Sequence, residues 1–182
     1  DASYDVWEKG QLKSVRSNSD QIKLRLPNQK SSQAAYRFNF PDQQVIGRFK
    51  DIPSVSTWYR FDNHFVTWLV AFLMRWGLAK LFRRPGWRKM ALWLFMRSWL
   101  GSDICGVALR AIGVNKGKRQ TVLLGVVGRE EALMTAIVTA EVVRQFLSRK
   151  QKTGVYHIEE VVSLDPVITT LKQAIEGLHV EL

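Results

Sequence analysis

One cysteine, Cys105, is all the chain has, so no intrachain disulfide can form and a reducing, cytoplasmic-type compartment is expected. It sits in the apolar run Ile104-Cys105-Gly106-Val107 with no basic neighbour in sequence, where a buried, inert thiol is expected rather than a nucleophile. The three histidines, His64, His157 and His179, are far apart, and none has a second His or a Cys at zinc-ligand spacing. There is no G-x-S-x-G elbow. A phosphate-binding loop is missing as well. Gly125-Val126-Val127-Gly128 offers two glycines where a dinucleotide fingerprint needs three, and Glu130 and Glu131 follow where they would repel phosphate. Close backbone packing is the expected role of those glycines. No charged segment followed by an apolar one marks a signal peptide. The apolar run that starts at Phe65 meets a charge at Arg75, about half the roughly 20 residues that a membrane-spanning helix requires. Together these absences exclude a self-contained enzyme built on a bound nucleotide, a metal or a local catalytic triad. Asp1 stands where an initiating Met would, which is read as a cut inside a longer chain, with maturation by processing as the alternative.

What is present is a globular composition with an uneven charge. The 182 residues are 46% hydrophobic and 24% charged, enough for one domain, 1–182, with a real core. The net charge is +11. From Arg60 to Arg97 eight basic residues face one acid, Asp62, so +7 of the total comes from a segment that also holds Trp68, Trp76, Trp87 and Trp93, with Trp99 just beyond it. Such a balance suits nucleic acid, anionic lipid or an acidic substrate.

Local patterns predict an α+β fold: a mixed, largely antiparallel sheet with flanking helices and an inserted aromatic helical hairpin at about 63–100, without a complete Rossmann domain. Tyr4–Trp7 and Leu12–Val15 flank Glu8-Lys9-Gly10-Gln11, with Gly10 free to take a positive φ, as a hairpin requires. Gln21–Leu26, Ala35–Phe40, Val45–Phe49 and Ser54–Phe61 are expected as strands, the second burying Tyr36, Phe38 and Phe40. Asp62 or Asn63 caps a helix over Phe65–Phe82, Pro85-Gly86 breaks it, and a second helix runs over Trp87–Leu100. Ile104–Val114 and Gln120–Val127 form a hairpin about Asn115-Lys116-Gly117-Lys118. Arg129–Lys150 is expected as a helix that buries Leu133, Ala136, Ile137, Ala140, Val143 and Leu147. Its order of charge, acids first and Arg149 and Lys150 last, suits the helix dipole. Glu159-Glu160 is read as a solvated pair in extended chain. A last helix over Pro166–Glu176 has Asp165 as cap and Gly177 after its end.

The aromatic and basic hairpin admits three readings. It is packed as core or dimer surface. Alternatively it lies on a membrane, with Arg83, Arg84, Arg88 and Lys89 meeting anionic headgroups beside the Pro85-Gly86 turn. RNA binding is the third and is not expected, because no RNP-like or GXXG motif accompanies the basic residues. The location expected is cytoplasmic, with peripheral attachment to a membrane under the second reading.

The hairpin Tyr4-Asp5-Val6-Trp7-Glu8-Lys9-Gly10, the stretch Gly47-Arg48-Phe49-Lys50-Asp51-Ile52-Pro53-Ser54-Val55-Ser56-Thr57, and the series Thr135-Ala136, Thr139-Ala140 and Thr153-Gly154-Val155 resemble the second domain of saccharopine dehydrogenase-like oxidoreductases. The resemblance implies a preceding Rossmann domain that binds NAD or NADP in the parent protein, no cofactor in this chain, and a role for this chain as the substrate and dimerisation domain. Arg48, Thr57 and Arg60 fall on the segment similar to the family's pocket-lining stretch and are the implied substrate contacts. The aromatic hairpin departs from the lysine-pathway enzymes and is similar to a branch whose members resemble enoyl reductases acting on lipids. A domain separated from its Rossmann partner exposes apolar surface, so a homodimer is expected. The competing class is a non-catalytic module that docks on a membrane or a partner protein.

Overall fold

The computed structural model describes residues 3–27, 29–48, 52–97, 101–148 and 153–181. Among them are eight strands in three antiparallel sheets together with six α-helices, an α+β architecture. They divide into two compact units, Asp1–Leu24 with Ser31–Ser102, and Arg25–Lys30 with Asp103–Leu182.

In the first unit β1 (Ser3–Glu8) and β2 (Gln11–Arg16) form the expected hairpin. Its two turn residues, Lys9 and Gly10, both have positive φ, 55° and 76°, which matches the twist of the paired strands. Tyr4 and Val6 alternate into the interior. A second sheet has the order β3 (Gln21–Leu24), β4 (Gln33–Arg37), β5 (Trp58–Tyr59). In β4 the buried residue is Ala35, and Phe40 lies beyond the strand and exposed, so the anticipated face of Tyr36, Phe38 and Phe40 is not the one the fold buries.

The strand expected over Val45–Phe49 is instead a helix, α1 (Asp42–Ile46); Phe49 lies outside the described residues. Pro41, with φ −61°, sets the first turn, and the turn carries Gln43 into the interior. There its Nε2 donates to Phe38 O at 3.1 Å and its Oε1 accepts from Thr57 N at 3.2 Å. Three-dimensional satisfaction of one amide outweighs the β preference of Val45 and Ile46. Ser54–Phe61 pairs as a strand only at Trp58 and Tyr59.

Two helices form in the segment expected as a hairpin, with the break displaced, and each packs on the 3-10 segment between them rather than along the other. Helix α2 (His64–Arg75) starts at Asn63, whose Oδ1 accepts from Phe65 N at 2.8 Å and Val66 N at 3.3 Å. It stops at Gly77, φ 69°, rather than at Phe82, and a 3-10 segment follows over Leu78–Arg83. Pro85 opens α3 (Pro85–Arg97) rather than a loop, as a proline at a first helical position can. Residues 98–100 of the expected second helix lie outside the described residues.

The second unit is a sheet of order β6 (Ile104–Asn115), β7 (Lys118–Arg129), β8 (His179–Glu181) with three helices, α4 (Glu131–Ser148), α5 (Ile158–Val161) and α6 (Leu164–Ala174). The β6–β7 turn repeats the Lys-Gly solution of the first hairpin, with φ 49° at Lys116 and 75° at Gly117. Its core is Val167, Leu171 and Ile175, packed by Met134, Ile137, Val138, Val162 and Leu178.

Three expectations change here. Of the anticipated buried face of α4 only Ile137 packs on that core; Leu133, Val143 and Leu147 are exposed, Leu147 at 77%. The face turned inward carries Glu141 and Gln145, each 4% exposed, because their polar groups satisfy one another. Arg149 and Lys150 lie outside the described residues. Glu159 and Glu160 belong to the short α5, where a Glu160 carboxylate oxygen accepts from His157 N at 2.6 Å. Helix α6 begins at Leu164, two residues before the expected proline.

Gly125 and Gly128 lie within β7 as packing positions. A Cβ at Gly125 would stand 2.6 Å from Pro27 Cγ, and one at Gly128 would stand 2.8 Å from Met134 Sδ.

Candidate functional site

The first unit has a polar interior. Asn18, in a turn with φ 60°, is buried: its N–H donates to Arg37 O at 2.9 Å and its Oδ1 accepts from Tyr59 OH at 3.0 Å. Its Nδ2 lies 3.2 Å from Met74 Sδ, which ties the turn to α2. Burial pushes the Tyr59 phenol above its ordinary value. Arg37 pairs with Asp20 at 3.1 Å and lies 4.7 Å from the centre of the Trp58 ring. The Tyr4 hydroxyl is buried beside the Gln43 side chain without a well-formed hydrogen bond among the described residues, and burial raises its pKa against the opposing pull of Arg37.

Arg60 follows β5 directly. Its side chain is 11% exposed, and its Nη1 is buried without a hydrogen-bond partner among the described residues. The nearest carboxylate contact is Asp62 Oδ1 at 3.9 Å, too long for a hydrogen bond. Asp62 is itself engaged, accepting from Ser102 Oγ at 2.8 Å. Burial lowers the Arg60 pKa, and Asp62 restores only part of the loss. A guanidinium stays charged under these conditions, so this is a largely buried cation whose ion pair with Asp62 is long.

Of the three residues singled out as substrate contacts, Thr57 and Arg60 lie three positions apart about β5, whereas Arg48 sits on an exposed turn after α1. The Thr57 hydroxyl donates to Asp42 Oδ1 at 3.4 Å and its backbone holds Gln43 and Phe38, which is a structural use. Asn18, Gln43 and Tyr59 were not anticipated. Asn18 sits in a turn, Gln43 in α1 and Tyr59 in β5, and their long-range side-chain partners are 14 to 56 residues away.

Arg83, Arg84, Arg88 and Lys89 are all exposed about the start of α3. Cys105 is half-buried, with Sγ 3.5 Å from Met134 Sδ, and burial raises its thiol pKa. Among the described residues no group of three His, Cys, Asp or Glu is placed to hold a metal, and no helix is long and apolar enough to cross a membrane. Comparison with family models, with curated proteins and with solved structures finds no match to the chain.

Proposed function

We propose that the chain is the substrate-binding and assembly part of a saccharopine dehydrogenase-like NAD(P)-dependent oxidoreductase, and that its substrate is a lipid-like molecule with an anionic group. The observation that carries the substrate side of this reading is the buried, unsatisfied Nη1 of Arg60. A carboxylate that donates no proton and accepts from a guanidinium is the simplest partner for it. The class of reaction rests on the resemblance carried by Tyr4–Gly10 and Gly47–Thr57, and in that reading NAD or NADP belongs to a Rossmann domain outside residues 1–182. Hydride transfer is therefore placed in the partner domain, while this chain holds and orients the substrate.

Assembly is assigned to the second unit. The exposed Leu133, Val143 and Leu147 of α4 and the edge position of β6 suit a second copy of the chain, joined about a two-fold axis. Calorimetry on the 182-residue chain tests the reading. Decanoate is expected to bind, and Arg60→Gln to abolish that binding; NADH and NADPH are expected not to bind. Micromolar binding of either nucleotide would sink the division of labour, and decanoate binding indifferent to Arg60→Gln would sink the anion site.

A further inference from the structure

We infer that the segment His64–Arg97 docks on the surface of an anionic lipid bilayer. The inference holds whether the chain serves an oxidoreductase or acts without catalysis, because it rests on the build of α2 and α3 alone.

Helix α2 is apolar on its outward as well as its inward side. Its inward face carries Thr67 and Ala71, with Met74 reaching the Asn18 amide. Its outward face carries Phe65, Trp68, Phe72 and Trp76, exposed by 57, 51, 39 and 70%. Successive rings lie 6.0, 5.4 and 6.0 Å apart, so they form one continuous strip along about 17 Å of helix. Spacings of three and four residues keep all four on one side. Trp87, Trp93 and Met96 add exposed apolar surface on α3.

The charge of the segment that carries this strip is of one sign. Arg75, Lys80, Arg83, Arg84, Arg88, Lys89 and Arg97 are exposed, and the sequence contains no acid from Asn63 to Ser102. That charge selects the occupant. A second copy of the same surface would set one +7 segment against another, which opposes close contact. A neutral apolar partner would leave the cations unanswered. An interface of acyl chains beneath acidic headgroups answers both features, with aromatic rings at the boundary and Arg and Lys at the headgroups. No described helix can span a bilayer, so the contact lies in the interfacial plane.

The test is flotation of the full chain with vesicles of phosphatidylcholine alone and of phosphatidylcholine mixed with phosphatidylserine, at low and high salt. Wild type is expected to float with the mixed vesicles only, and less as salt rises. Replacing Arg83, Arg84, Arg88 and Lys89 together by Gln lowers the partition roughly fivefold per charge, on the order of several hundredfold in all. Trp68→Ser with Trp76→Ser lowers it about tenfold or more per residue at unchanged charge. Both residues are exposed, so circular dichroism of that variant is expected to match wild type. The inference is overturned if wild type stays in solution at low salt. It is equally overturned if the double Trp variant floats as wild type does, since that is adsorption of a basic chain. Two further results would overturn it: Trp-dependent binding of RNA that displaces the vesicles, or Trp-dependent self-association without vesicle binding.

Discussion

Gln145 is expected to be among the most sensitive polar positions in the second unit. It is 4% exposed on α4 and clamps the residue that caps α6: its Oε1 accepts from Ser163 N at 2.8 Å, and its Nε2 donates to Ser163 O at 3.1 Å and to Glu141 Oε1 at 2.9 Å. Gln145→Ala removes three hydrogen bonds, each with a net value of about 1 kcal/mol. Ser163 is half-buried, so water recovers part of what its N–H and C=O lose. The expected cost is about 2–4 kcal/mol, comparable to deleting a core aliphatic side chain such as Leu171. Urea unfolding measures it, and hydrogen exchange localises it, because the Ser163 amide should lose protection before the amides of β7 do. Gln145→Glu sharpens the comparison. The new carboxylate still accepts from Ser163 N, but it faces Ser163 O and Glu141 with no proton to donate. Its folded pKa is therefore raised, so its destabilisation is present above that pKa and fades as the pH falls through it. A cost below about 1 kcal/mol for Gln145→Ala, with Ser163 protection intact, would refute the clamp.

Two further outcomes follow from the same unit. Glu141, hydrogen-bonded by Arg144 Nε at 2.7 Å and Nη2 at 2.6 Å, has its pKa held down from 4.5 to about 2. A depressed carboxylate stabilises the fold above its unfolded value, so this contribution is complete above pH 4.5 and is lost as the pH falls toward 2. Thermal melts across that window should fall more steeply for wild type than for Arg144→Gln; parallel curves would count against it. In β6, a Cβ at Gly106 would lie 2.8 Å from Val126 O, whereas one at Gly113 meets nothing within 4 Å. Gly106→Ala should cost about 1–3 kcal/mol and Gly113→Ala should be neutral or slightly stabilising, as read from their melting temperatures.

Several features of the protein were determined by sequence alone, because they depend on chemistry within a few residues. Both hairpins turn on Lys-Gly, where the second position needs a φ that glycine adopts at no steric cost. Asn63 caps α2 because its carboxamide reaches two orphan N–H groups within its own turn. The absence of acids from 63 to 102 is a property of the string itself. Tertiary structure decided the rest. Helix α4 has apolar residues on more than one side, and periodicity cannot choose between sides; the pairing of Gln145 with Ser163 chose the one that holds Glu141. Val45 and Ile46 prefer a strand, yet burial of Gln43 between Phe38 and Thr57 made the segment a helix. The long, partial pairing of Arg60 with Asp62 was invisible for a related reason. A sequence shows that Asp62 is two residues away, but only the folded chain turns that carboxylate toward Ser102 and leaves Nη1 buried without a hydrogen-bond partner among the described residues. Local rules act through backbone geometry and near neighbours, whereas the partners of buried polar groups are fixed by which distant segments the core brings together.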